Sequence, residues 1–344
     1  MKILYGVQGT GNGHVSRARA MARHFKQKNI DVTYLFSGRP RESYFEMEDF
    51  GNFEVRKGLT FAVENGQVNY FKTVFKNNPL TFIKEVRTLD LDPYDVVLCD
   101  FEPVTGWAGK LQKKAVIGFG HQSAFHHKIP IEGSDPIAHL VMKYFAPANI
   151  SIGLHWHHFG QPILPPIIHV DALGDAQVQK NKVLVYLPFD NEQSFAPVFS
   201  QFPDFEFYFF HPDYKEAIDS GNLHKRPLSV QKFQDDLKSS AAVICGAGFE
   251  LPSECIQYGK KLLVKPVKHQ MEQASNAAAL VQLGLGQSMK ELDAAIIKNW
   301  LELPNHSAST QYPDVAKALV DWIIAGEWQD YSRLQKDLWE TVAI

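Results

Sequence analysis

The chain has 344 residues, 45% of them hydrophobic and 21% charged, which is too long for one small domain and suits two cores of about 150 residues each. A formal net charge of −3 offers no basic stripe to release phosphate counterions, which argues against nucleic-acid binding. Cys99, Cys245 and Cys255 are odd in number and far apart, so neither a disulfide framework nor a zinc spacing follows, and a reducing compartment is the natural setting.

The opening Met1-Lys2-Ile3-Leu4-Tyr5-Gly6-Val7 reads as a strand running straight into a glycine-rich turn. It lacks the apolar core and cleavage site of a signal peptide, and the chain has no run of about eighteen apolar residues. A cytoplasmic protein is expected, with peripheral contact at the inner face of a membrane left open.

The turn is Gln8-Gly9-Thr10-Gly11-Asn12-Gly13-His14, and a helix is predicted over 15–26. Glycine permits close backbone approach, and a helix start offers free N–H groups and a positive dipole end. Gly11 and Gly13 are therefore candidate contacts for an anion or a sugar hydroxyl. The spacing is G-x-G-x-G, not G-x-G-x-x-G. The second predicted strand, 31–36, begins with Asp31 and is followed by Ser37-Gly38-Arg39, so the acid that a dinucleotide site needs at the strand's end is missing. Both features argue against a nicotinamide site. His14 stands at the helix start, where a neutral imidazole can serve as a general base.

Further strands are predicted at 53–59, 96–99 and 116–119, with a helix over 104–111. Phe71, Val74, Phe75, Leu80, Phe82, Ile83 and Val86 form an apolar surface that suits core, and also the lip of a lipid-acceptor site. Asp90-Leu91-Asp92 has a metal-binding D-x-D spacing, but three residues match by chance too often to carry a metal site. Asp100 ends the strand over 96–99, on the same rim as His14. Asp100 can orient the ring of His14 while His14 deprotonates an acceptor hydroxyl, or it can merely cap the helix after Pro103; both readings stand at this point. His126, His127, His155, His157 and His158 fit no zinc spacing and read as cleft or surface histidines.

The stretch 160–180 holds Pro162, Pro165, Pro166 and Gly174 and shows no period, as a linker would. A second series follows, with strands at 183–187, 205–210, 242–245 and 262–267. The expected organisation is an α/β chain of two Rossmann-like domains. The first covers 1–165, a linker covers 166–181, and the second covers 182–325. A last helix falls within 326–344.

The strand over 242–245 leads into Gly246-Ala247-Gly248-Phe249-Glu250-Leu251, and Pro252 suits the first position of the next helix. Gly259 can close that helix in the left-handed region. Lys268-His269-Gln270-Met271-Glu272-Gln273 follows the next strand. The amides of Gly246, Gly248 and Phe249 can cradle a phosphate. Glu254, one turn into the helix, can accept from ribose hydroxyls. Gln270, Glu272 and Gln273 can read sugar hydroxyls.

Gly246, Gly248, Glu254, Gly259, Pro266, Glu272, Gln273, Asn276 and Ala277 match a pattern that resembles the donor-binding signature of GT-B glycosyltransferases. The first glycine loop is similar to that of the peptidoglycan lipid-intermediate N-acetylglucosaminyltransferases, and His14 with Asp100 resembles the dyad of plant-type UDP-glycosyltransferases. Over roughly residues 1–300 the chain resembles a bacterial and archaeal family-1/28-like group that includes teichoic-acid-biosynthesis-type proteins. The resemblance implies inverting transfer of a sugar from a nucleotide-sugar donor, often UDP-linked, to a hydroxyl acceptor such as a cell-envelope glycan or glycolipid. It implies that the two domains face across a cleft, with 1–165 on the acceptor side, 182–325 binding the nucleotide sugar and the last helix within 326–344 able to cross back to the first domain. It also implies no obligatory metal and no cofactor. It also leaves a UDP-N-acetylglucosamine 2-epimerase-like isomerase and a non-catalytic nucleotide-sugar-binding subunit as alternatives. Two departures matter. Leu251 stands where many members carry Thr, which removes a capping hydroxyl. Glu250 would repel a diphosphate if it faced inward, with Lys265, Lys268 and His269 the cations placed to compensate.

Overall fold

The computed structural model describes residues 1–60, 63–64, 67–68, 78–133, 136–168, 177–304 and 310–342. In its first half the strands are β1 (Lys2–Gln8), β2 (Asp31–Ser37), β3 (Glu54–Arg56), the ribbon β4 (Val63–Glu64) and β5 (Gln67–Val68), then β6 (Val96–Asp100), β7 (Val116–Gly120), β8 (Ile150–Leu154) and β9 (Ile163–Leu164). The helices are α1 (Asn12–Gln27), α2 (Pro79–Thr88), α3 (Pro103–Gln112), α4 (His121–Ala124) and α5 (Pro136–Tyr144). Apart from the ribbon, these strands form one parallel sheet in the order β3-β2-β1-β6-β7-β8-β9. Ile3, Leu4, Tyr5 and Val7 of β1 are all fully buried, as expected for a central strand covered on both faces. Each such side chain contributes roughly 1.5–3 kcal/mol of burial free energy.

The second half carries β10 (Gln179–Tyr186), β11 (Glu206–Phe210), β12 (Ile218–Ser220), β13 (Leu223–Arg226), β14 (Ser240–Gly246), β15 (Lys261–Lys265) and β16 (Gln287–Ser288). Its helices are α6 (Phe195–Phe199), α7 (Val230–Ser239), α8 (Glu250–Gln257), α9 (Met271–Gln282), α10 (Ala294–Glu302), α11 (Val315–Ala325) and α12 (Ser332–Glu340). The sheet order is β12-β13-β11-β10-β14-β15-β16, parallel except for the antiparallel edge strand β12. Each sheet reverses its strand order beside its first strand, between β1 and β6 and between β10 and β14. Ligands of open α/β sheets bind at such switch points, beyond the carboxyl ends of the strands.

Several expectations are corrected. The strand expected over 53–59 is only Glu54–Arg56. Ile150–Leu154 and Ile163–Leu164 add two strands that were not foreseen. The second of these lies inside the proline-rich stretch expected as linker, and β10 begins at Gln179, also inside it. A two-residue edge strand between prolines has no period to read. Residues 169–176, with Gly174, lie outside the described residues. So do Phe71, Val74 and Phe75. Of the rest of that apolar stretch, Val86 is buried while Leu80 is 78% and Ile83 45% exposed.

The C-terminal helices pack on the first half. Helix α11 lies along α1. From α12, Trp339 Nε1 donates to the Ile163 carbonyl at 2.6 Å, and the hydroxyl of Tyr331, just before the helix, donates to the Pro162 carbonyl at 3.0 Å. Among the described residues no helix is long and apolar enough to cross a membrane.

Candidate active site

Helix α1 starts inside the first glycine loop, at Asn12 and not at 15, so Gly13 and His14 lie in its first turn and Gly11 is its extended N-cap residue. One face of α1 buries Val15, Ala18, Met21 and Phe25, and the same helix carries His14 and Arg17, one turn apart. Strand β6 delivers Asp100 at its carboxyl end. His14 Nδ1 lies 2.7 Å from Asp100 Oδ1. Arg17 grips the same carboxylate with two groups: Nε donates to Oδ2 at 2.7 Å and Nη2 to Oδ1 at 2.7 Å. Its third arm, Nη1, reaches Glu250 Oε1 on α8 at 2.6 Å.

Asp100 is fully buried and Arg17 is 2% exposed. Burial alone would raise the Asp100 carboxyl, but Arg17 and His14 outweigh it and hold it below its usual range. Burial alone would lower the Arg17 guanidinium, but Asp100 and Glu250 keep it charged, above its ordinary value. The capping reading of Asp100 fails. Glu102 caps α3, accepting from the amides of Val104 at 2.9 Å and Thr105 at 2.6 Å.

Phe101, next after Asp100, holds a left-handed φ of +52°, a strained conformation for a bulky residue of the kind that clusters at functional sites. Its ring lies parallel to His14, with centroids 6.4 Å apart. A pocket opens here, lined in part by Phe101, Phe119, Gly120, Gln122, His126 and Met142. Gly120 has φ +152° and ψ 171°, a region open essentially to glycine alone. A Cβ at Gly120 would come within 3.2 Å of Gln122 Oε1, 3.4 Å of Arg17 Nη2 and 3.5 Å of Asp100 Oδ1. Gln122 Oε1 is buried with no protein partner.

The second glycine loop faces the first. Helix α8 starts at Glu250, so Pro252 is its third residue and not its first; its missing N–H still falls among the amides that lack an intrahelical partner. Glu250 does not turn toward the open side of the glycine turn. It reaches Arg17 and packs against Gly13, where an added Cβ would meet its Cγ at 2.9 Å. Burial pushes the Glu250 carboxyl up to about 8 in spite of Arg17. Gly248 has open space where a side chain would project. The Phe249 ring stacks on His121, with centroids 4.1 Å apart and planes within 6°.

Glu254 is buried and accepts from Gln234 Nε2 at 3.0 Å, and burial pushes its carboxyl up to about 7. Gln270 precedes α9, and Glu272 and Gln273 lie in its first turn, not in the strand-end loop. Glu272 Oε1 accepts from Gln122 Nε2 across the cleft at 3.0 Å. Gln273 turns back to accept the Val267 amide at 2.9 Å, which fixes the loop. Lys265 pairs with Asp190 at 2.6 Å and Lys268 with Glu291 at 2.7 Å.

Further contacts close the cleft. Asn12 Nδ2 donates to the Tyr186 hydroxyl at 3.3 Å, and Trp156 Nε1 donates to Ser253 Oγ at 2.8 Å. His121 Nδ1 faces the Leu154 carbonyl at 2.9 Å and its Nε2 faces Asn276 Oδ1 at 2.5 Å; Asn276 in turn donates to the Ala247 carbonyl at 3.0 Å. Burial pulls the His121 ring below the usual histidine range. Of the histidines expected in the cleft or at the surface, His155 is not at the surface: it is 1% exposed and packs among His121, Trp156 and Phe249.

Sequence reasoning named His14, Asp100 and the two glycine turns, and the fold brings these together. It missed Arg17, His121 and Gln122. His121 and Gln122 had a signal, since both follow directly on β7 at the sheet's ligand rim.

Two Rossmann-like units facing across a cleft form the GT-B fold, as structural neighbours show. The glycosyltransferase of kitacinnamycin superimposes with a TM-score of 0.61 at 15% identity, covering 94% of this chain and 98% of its own. MurG of Acinetobacter baumannii gives 0.59 at 16% identity, covering 94% and 99%. SsfS6 of Streptomyces sp. SF2575, complexed with thymidine diphosphate, gives 0.58 at 12% identity, covering 94% and 99%. The chain belongs to glycosyl transferase family 1, whose model matches residues 1–304. No curated protein matches it.

Proposed function

We propose that this glycosyltransferase moves a sugar, with inversion, from a UDP-linked donor to an acceptor hydroxyl. The observation that carries the reading is the 2.7 Å contact of His14 with a buried, ionised Asp100, set at one switch point against the glycine turn of the other. In this reading Nδ1–H of His14 donates to Asp100, which leaves Nε2 free as the base. The acceptor hydroxyl gives its proton to Nε2 as its oxygen attacks the anomeric carbon, and the bond from that carbon to the diphosphate breaks on the opposite face. The nucleoside diphosphate leaves with the bonding pair.

The amides of Gly246, Gly248 and Phe249 receive the developing charge, with Gly11 and Gly13 closing the other side. Glu250 is compatible with that role because it turns toward Arg17, away from the open side of the turn, and burial raises its carboxyl to about 8. Glu254 binds the ribose once the cleft opens, and Gln270, Glu272 and Gln273 read the donor sugar. No metal or cofactor takes part. The thymidine diphosphate in the SsfS6 complex supports a nucleoside diphosphate in the corresponding cleft. The pocket beside Phe101 is the acceptor side, and exposed Leu80 and Ile83 suit a lipid-linked acceptor at a membrane surface.

A thermal-shift screen across nucleotide sugars tests the donor. A ligand at about 100 times its Kd adds roughly 2.7 kcal/mol of stability. The anomeric configuration of the product, read by NMR, tests inversion. A sugar product still attached to UDP would mark an isomerase and sink the transfer reading. Unchanged UDP affinity in Glu254→Ala would remove Glu254 from the ribose site.

A further inference from the structure

Arg17 has a place in the reaction that the dyad alone does not describe. It is a buried cation whose three donor nitrogens all point at carboxylates: two groups on Asp100 from its own half of the chain, one on Glu250 from the other half. A buried carboxylate held at both oxygens cannot rotate, and only one lone-pair direction of Asp100 Oδ1 is left for His14.

That arrangement selects a tautomer. His14 Nδ1 stands 2.7 Å from Asp100 Oδ1 and 2.9 Å from Arg17 Nη2. If Nδ1 carried no proton, its lone pair would face the lone pair of an ionised carboxylate at 2.7 Å, a repulsive contact. With the proton on Nδ1, Asp100 accepts it beside one of the two hydrogens of Nη2. The 2.9 Å approach of the two nitrogens is then a neighbour contact around a shared acceptor.

We propose that Arg17 is a positioning residue: by clamping Asp100 it holds His14 in the Nδ1–H tautomer, and through Glu250 it makes that state depend on closure of the cleft. The inference rests on the dyad reading for its catalytic meaning, but the tautomer itself is observable without any substrate.

The test is the set of ring-nitrogen NMR shifts of 15N-histidine-labelled protein, with the His14 signals assigned by their loss in His14→Ala. Wild type is expected to show His14 with the proton on Nδ1. Arg17→Gln and Arg17→Lys are expected to shift it toward the Nε2–H form, the lysine because a point charge cannot grip both oxygens. Glu250→Ala is expected to give an intermediate, exchange-averaged position. Should Arg17→Gln not fold, Arg17→Lys decides the same question. A wild-type His14 protonated on Nε2, or an Nδ1–H tautomer unchanged in the folded Arg17 variants, overturns the clamp. An unchanged tautomer in Glu250→Ala overturns the coupling to closure. Full turnover by His14→Ala would remove the catalytic reading and leave the tautomer result standing, so the two failures are distinguishable.

Discussion

The two glycine turns are built alike and work with opposite electrostatics. Both follow a buried central strand, both open a helix, and both sit at a switch point. The first is dominated by fixed charge: an ionised Asp100, a charged Arg17 and a histidine between solvent and core. The second presents backbone amides, a stacked Phe249, and two carboxyls that burial pushes up to about 8 for Glu250 and about 7 for Glu254. The contrast suits a division of labour. A base needs an ionised partner held still, whereas a seat for a departing diphosphate needs donors with little competing negative charge.

Removing the charge from the first turn should cost the most stability. Asp100→Asn leaves Arg17 buried with Glu250 as its one carboxylate partner, and breaking a buried pair in this way costs about 3–5 kcal/mol. Urea unfolding is expected to show that loss, whereas an unchanged midpoint would mean that the network is not held as described.

The second turn predicts the opposite sign. The Glu254 carboxyl has an ordinary value of 4.5 and is raised to about 7 in the folded chain. Its contribution to stability is therefore full below 4.5 and is lost as pH rises through 7. Glu254→Gln removes that loss. At pH 8 the variant should be more stable than wild type by up to about 3 kcal/mol, with the gap closing near pH 4.5. Denaturant melts at both pH values decide it, and a Gln variant less stable at pH 8 contradicts the neutral-carboxyl account.

A smaller effect separates ligand space from packing. Gly248 has nothing near its missing side chain, so Gly248→Ala should change stability by less than about 0.5 kcal/mol. On the proposed reading the added methyl intrudes on the phosphate seat, and donor binding measured by calorimetry should weaken about tenfold, or roughly 1.4 kcal/mol. Equal donor affinity in the variant would move the seat away from this turn.

Much of this was legible in the sequence because the cues were local. Strand, glycine turn and helix follow one another within a few residues, and His14 and Asp100 each sit where a parallel sheet exposes its ligand rim. Arg17 was not legible. An arginine one turn into a helix ordinarily reads as a solvated side chain, and its burial depends on Asp100, 83 residues away, and on Glu250, 233 residues away. Glu250 was misjudged for the same reason: its direction is set by the opposite half of the molecule. Strand β9 escaped because two residues between prolines carry no alternation.

In the proposed reading His14 is the base. The measurement is turnover of a bound nucleotide sugar by His14→Ala, paired with the thermal shift that the same nucleotide sugar produces. The account predicts a fall of about 10²–10⁴-fold in kcat with the thermal shift unchanged. Turnover at the wild-type rate would contradict it.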